Sequence, residues 1–293
     1  MPIKYIGPAC LVFALAGAVT TAAQDLKHPD WHPDGVTLIS EGSCEGDIDL
    51  YLINTDSGDV QRLHDGEHTE GYPRWFRDGR RIAFHEIDDE RNARIFTAVV
   101  SNARIESLKP MSNGPFDIEP APSPDGGAIA FSRPGNNGLN IAILDIASRK
   151  IVNVWPADPG EHFPSWRADG AAILFHAPTA DNVQILQRSV ETAVTTQLTR
   201  SSGPNMTAHM NHDASQLVFS SERTDDREIY LLTLESGVET RLTSNPGRDG
   251  YPKFSPDGSK VAYHSDNQER PSSIKVLDLQ SKNTTEFGCY PLN

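Results

Sequence analysis

The sequence predicts an all-β fold, a six-bladed β-propeller with four antiparallel strands per blade, and three observations carry that prediction. A tight-turn motif recurs six times at a nearly fixed interval, a short apolar run follows each copy, and no stretch shows the 3.6-residue stripe of an amphipathic helix. With 37% hydrophobic and 23% charged residues in 293, the chain has the composition of a globular protein with a sizeable core, which excludes a disordered polymer.

The turn comes first. Its copies are Trp31-His32-Pro33-Asp34-Gly35, Trp75-Phe76-Arg77-Asp78-Gly79, Pro122-Ser123-Pro124-Asp125-Gly126, Trp166-Arg167-Ala168-Asp169-Gly170, Met210-Asn211-His212-Asp213-Ala214 and Phe254-Ser255-Pro256-Asp257-Gly258. Their aspartates are 44, 47, 44, 44 and 44 residues apart. Pro presets φ for a turn, Asp bonds its own downstream backbone, and Gly takes the left-handed position. The residues ahead of each turn are read as an inner strand, A. The apolar runs after it, such as Ile82-Ala83-Phe84 and Val261-Ala262-Tyr263, are read as strand B. Third strands such as Glu228-Ile229-Tyr230-Leu231-Leu232 and fourth strands such as Thr240-Arg241-Leu242-Thr243 complete each unit of about 45 residues, the period of a propeller blade. Blades are expected at 27–70, 71–117, 118–161, 162–205, 206–249 and 250–293, with the 47-residue interval read as a three-residue loop insertion.

These residues resemble a known repeat. The Trp/Phe-Ser-Pro-Asp-Gly turn, the Ile-Ala-Phe strand, Glu-Ile-Tyr and Arg-Leu-Thr are similar to the repeat of TolB-type propellers, over about residues 27–287. That resemblance implies the propeller fold and an exported protein. The TolB of the Tol-Pal envelope system has an α/β domain ahead of its propeller. None is expected here, because blade one begins a few residues after a predicted cleavage site. Prolyl oligopeptidase relatives carry such propellers beside a hydrolase domain, whose Gly-x-Ser-x-Gly elbow this sequence lacks.

Residues 1–23 read as a secretory signal peptide, with Lys4 in the n-region, an apolar run from Cys10 to Val19, and Thr21-Ala22-Ala23 before the cleavage point. Ten apolar residues are about half of a membrane span, so residues 24–293 are expected as a soluble, periplasmic or secreted, monomeric propeller domain. The chain carries 26 Lys and Arg against 40 Asp and Glu, a formal charge of -14, which repels nucleic-acid backbones. Signal removal would leave two cysteines, Cys44 and Cys289, in an oxidising compartment. The repeat starts at strand A and ends at strand D, leaving little chain for a strand shared between first and last blades. Cys44 falls after strand B of blade one and Cys289 just past strand D of blade six, so a disulfide is expected to close the ring.

Two columns of the repeat are candidate ligand-binding positions at the channel mouth. Three residues before the Pro, or its equivalent, of strand A stand Glu70, Asp117, Glu161, Asn205 and Asp249, with Leu26 in blade one. Directly after strand B stand Ser40, His85, Ser132, His176, Ser220 and His264, so that histidine marks every second blade. Carboxylates and neutral imidazoles together could hold a divalent cation or a polar ligand. The competing reading is structural, with strand-end Ser and His bonding to neighbouring loops. No P-loop, dinucleotide fingerprint, paired CxxC or spaced catalytic triad occurs. The function expected is a non-catalytic scaffold binding an envelope protein or a polysaccharide. The alternative is a metal-assisted polysaccharide lyase, because oligogalacturonate lyases carry similar repeats.

Overall fold

The structure, a computed structural model, describes residues 24–155, 160–267 and 270–289; the predicted signal peptide lies outside them. The described residues form six four-stranded antiparallel sheets, each built from four strands consecutive in sequence. In blade two these are strand A (Thr69–Trp75), B (Arg81–Ile87), C (Ala93–Ser101) and D (Arg104–Pro110). Blade one opens with Leu26–Trp31 and blade six closes with Thr284–Phe287, and neither borrows a strand from the other.

Six apolar clusters, one between each pair of neighbouring blades, hold the ring together. The cluster between blades one and two unites Ile39 and Leu50 with Ile82 and Phe84; that between two and three unites Ala83 and Ile95 with Ile129 and Phe131. Neighbouring residues of one strand, Ile82 and Ala83, thus serve opposite interfaces, because successive side chains point to opposite sides of a sheet and both sides are covered here. The seam between blades six and one is packed like the rest, with Leu26, Trp31 and Tyr51 against Ile274, Val276 and Phe287. Hydrogen bonds cross it as well: the Ser272 N–H donates to Asp25 Oδ1 (2.7 Å) and Trp31 Nε1 donates to the Lys253 carbonyl (3.2 Å). The expected disulfide between Cys44 and Cys289 closes the seam, with Cα atoms 5.0 Å apart.

The A-to-B turns behave as their residues dictate. Asp34 Oδ1 accepts the N–H groups of Val36 and Thr37, and Asp78 Oδ1 those of Arg80 and Arg81, each at 2.8–3.0 Å. The residue after the aspartate is left-handed throughout, with φ of +72° at Gly35 and +73° at Gly258. Blade five puts Ala214 there at +59°. A Cβ in this region costs about 1 kcal/mol. Ala214→Gly is therefore expected to raise stability by about 1 kcal/mol in urea denaturation, and an unchanged midpoint would refute it.

The long interval is a longer hairpin instead of a loop. Phe96 pairs with Pro110, where the equivalent pair in blade five is Tyr230 with Arg241. The three extra residues extend strands C and D of blade two and end in a two-residue turn, Asn102-Ala103, with both φ angles positive.

Candidate functional site

Every inner strand carries a β-bulge at the same place, in blade two between Gly71 and Arg74. At each bulge the residue before Pro, or before Ala208 in blade five, has φ between 50 and 59°: His28, Tyr72, Glu119, Phe163, Thr207 and Tyr251. Six left-handed non-glycine residues in one ring are a concentrated source of backbone strain, which persists where packing over-determines it. The bulge re-aims these side chains to the axis. Tyr72, Phe163 and Tyr251, from blades two, four and six, meet there with centroids 5.3–5.9 Å apart, and His28 stacks on Tyr72 at 3.8 Å. This end of the channel is plugged.

The predicted histidine column backs the plug. His85, His176 and His264 are buried, each with its ring 5.0–5.2 Å from the aromatic of its own blade. The Glu119 N–H donates to His85 Nδ1 and the Thr207 N–H to His176 Nδ1, both at 3.4 Å, so these two imidazoles hold the bulge of the next blade, whereas His264 Nδ1 is buried without a hydrogen-bond partner among the described residues. In blades one and three carboxylates do the same. The Tyr72 N–H donates to Glu41 Oε2 (2.7 Å) and the Phe163 N–H to Glu119 Oε2 (2.8 Å). Ser132 Oγ also donates to Glu119 Oε2 (2.6 Å). Burial drives His85 down to about 4 and His176 to about 3. It pushes Glu119 up to about 7 against the pull of Ser132, the Phe163 N–H and Arg74.

The acidic column lies elsewhere. Glu70, Asp117, Glu161, Asn205 and Asp249 are all buried, at 0–3% exposure, and face the preceding blade. Glu70 Oε1 is 2.5 Å from His64 Nδ1, and Asp117 takes the Gly114 N–H (3.0 Å) and Arg133 (3.2 Å). Glu161 pairs with Arg188 (2.5 Å), Asn205 donates to Gln184 Oε1 (2.9 Å), and Asn245 donates to Asp249 (3.3 Å). Their backbones add a second tie: the N–H groups of Glu70, Asp117, Glu161 and Asp249 donate to the carbonyls of Ile48, Ala93, Leu139 and Arg227 in the blade before. Burial raises the carboxyls of Glu70, Glu161 and Asp249 against the lowering effect of these partners.

The two columns expected to share one channel mouth are therefore apart, and the reason is strand parity. Glu70 pairs with Glu86 across the A–B hairpin and Gly71 with His85, so Glu70 and His85 stand on opposite sides of their sheet. One turns to the preceding blade, the other to the following one. Among the described residues no three His, Cys, Asp or Glu side chains converge as a metal site requires, so the grouping expected for a divalent cation is not found there.

The open end is the opposite one, at the A-to-B turns. A funnel of about 230 Å³ is walled by Trp31, Trp75, Trp166, Phe254 and Met210, and its floor carries Asp30, Arg74, Ser165, His209 and Lys253. Those floor residues follow the strand-A Pro (Ala208 in blade five) directly in five blades; Ala121 completes the ring. Sequence reasoning passed over this column and the bulge column, although both keep the register of the acidic one. The signal was present. Tyr72, Phe163 and Tyr251 alternate with His28, Glu119 and Thr207 in step with the His and Ser column.

A closed ring of six blades, plugged at one end and open as a cationic, aromatic funnel at the other, defines a protein of the six-bladed propeller class. The chain belongs to the TolB β-propeller family, matching the TolB beta propeller domain over residues 16–203 and 163–287. An uncharacterized protein of Agrobacterium fabrum is 24% identical over 156 residues, which take in 50% of this chain and 52% of that one. TolB from Acinetobacter baumannii is 18% identical with a TM-score of 0.72, over 82% of this chain and 59% of that one. The chain thus spans little more than half the length of these relatives. An oligogalacturonate lyase solved with manganese is 15% identical with a TM-score of 0.60, over 90% of this chain and 77% of that one. At such identities the solved structures share the fold. No helix among the described residues is long and apolar enough to cross a membrane.

Proposed function

We propose that this chain is an extracytoplasmic propeller that acts as a non-catalytic scaffold and receives a segment of an envelope protein in its funnel. The observation that carries the reading is the funnel itself, an aromatic and proline-lined opening on a ring whose other end is filled. Family membership and the disulfide support export. The histidines His85, His176 and His264 act in this reading as positioning groups that fix the plug, and the column from Glu70 to Asp249 as ties that keep the blades in register.

Site-directed photo-crosslinking tests it. Arg77 is exposed at the funnel, and Arg104 is exposed on the outermost strand of the same blade. A photoreactive residue at position 77 is expected to give discrete protein adducts in envelope extract, and at position 104 none. Adducts of equal yield at both positions, or none at 77, would refute the reading.

A further inference from the structure

The floor of the funnel holds more positive charge than the protein neutralises. Lys253 is only 7% exposed, yet neither it nor Arg74 forms a salt bridge with any carboxylate among the described residues. Arg74 donates to the carbonyl of its neighbour Pro73 (3.1 Å). Asp30, between them in ring order, spends Oδ2 on the Trp75 N–H (2.8 Å). His209 Nδ1 accepts the Phe254 N–H (3.1 Å), so its neutral ring carries the proton on Nε2 as a further donor. Arg74, Ser165 and Lys253 also border a small cavity between the floor and the plug, whose lining includes Glu119. A buried cation without a counter-charge is costly, and a chain of net charge -14 has carboxylates to spare for it. Asp30 is the one carboxylate of this floor among the described residues, a single negative charge against the two cations.

We infer that this floor is a carboxylate-binding site, in which Arg74 and Lys253 hold one carboxylate of a ligand whose apolar portion rests on the tryptophan walls. The inference rests on the funnel being the binding face and names the group placed deepest in it. Arg74 offers a planar fork and Lys253 a point charge, with Ser165 Oγ and the His209 ring at the same level. Burial and the neighbouring Arg74 drive Lys253 down to about 7, against the pull of Asp30; a carboxylate at the floor favours its ammonium form. The apolar walls favour a carboxylate on a hydrophobic body over a small inorganic anion.

Of the four tryptophans, three line the walls, so intrinsic fluorescence reads occupancy. Titration with 3-cyclohexylpropionate is expected to saturate, with the neutral 3-cyclohexylpropanamide at least about tenfold weaker, the worth of a charge-assisted hydrogen bond. A pentapeptide ending in phenylalanine, with a free or an amidated C-terminus, asks whether a chain end is the source of the carboxylate. The tighter acid identifies it. Lys253→Met and Arg74→Gln should each abolish the preference for acid over amide; Arg74 is half-buried, so its variant keeps the test open where the lysine variant fails to fold. Equal affinities for acid and amide, no binding of either acid, or an Arg74→Gln variant like the wild type would overturn the inference. Adducts at position 77 without acid preference would leave the scaffold reading standing and remove only the carboxylate.

Discussion

Replacing Cys44 and Cys289 together by alanine is expected to lower stability by about 5 kcal/mol, the largest effect of any change outside the blade cores. The bridge spans 245 residues, and the chain-entropy model rates a loop of that length at about 5 kcal/mol. The topology gives it unusual leverage. Each blade is made of four consecutive strands, so no shared strand joins blade six to blade one. Without the disulfide the seam retains its apolar cluster and the bonds from Ser272 to Asp25 and from Trp31 to Lys253. Alanine suits position 44, which is 9% exposed among those apolar neighbours. Urea denaturation of oxidised wild type and double variant measures the loss, and hydrogen exchange should rise in blades one and six before blades three and four. Coincident urea midpoints would remove the disulfide as the fastener.

The repeat was legible because one structural need, a tight turn with a left-handed residue after an aspartate, recurs once per blade and admits few residues. The disulfide was legible for a related reason: register alone put Cys44 and Cys289 on adjacent blades. The site was read less well. Placing Glu70 and His85 in one mouth took both as channel residues, whereas the A–B pairing puts them on opposite sides of a sheet whose two sides both meet other blades. The plug was invisible for a different reason. A left-handed residue before proline runs against local preference, and only the six-fold bulge, a property of the closed ring, selects it. Arg74 and Lys253 belong to no motif that the sequence singles out; Lys253 becomes a buried cation only when six inner strands surround the axis.

Acid should test the plug. Stability is expected to fall between pH 7 and pH 5, because the unfolded chain takes up protons that the buried imidazoles refuse. His85, lowered to about 4, and His176, lowered to about 3, stay neutral in the folded protein, as do His209 and His264, held well below the usual range by burial. Unfolded, each protonates near 6.5. Their contribution is therefore complete above about pH 6.5 and is lost as pH falls toward about 4. Glu119 works the other way. Its folded value of about 7 lies above its unfolded one, so it stabilises most below about pH 4.5 and loses that contribution as pH rises to 7. The raised carboxyls of Glu70, Glu161 and Asp249 act in the same sense as Glu119. His64, raised by its bond to Glu70, acts with these carboxyls, while each imidazole kept neutral in the fold adds about 1.4 kcal/mol per pH unit to the fall. Urea denaturation at pH 7, 6 and 5 measures the slope. Glu119→Gln should steepen it by removing an opposing group, and His176→Gln should flatten it by up to one proton while leaving the fold's amide acceptor in place for Thr207. Stability that holds constant or rises from pH 7 to pH 5 would mean that the imidazoles behind the plug are not buried as neutral groups, and the positioning role given to His85, His176 and His264 would fall with it.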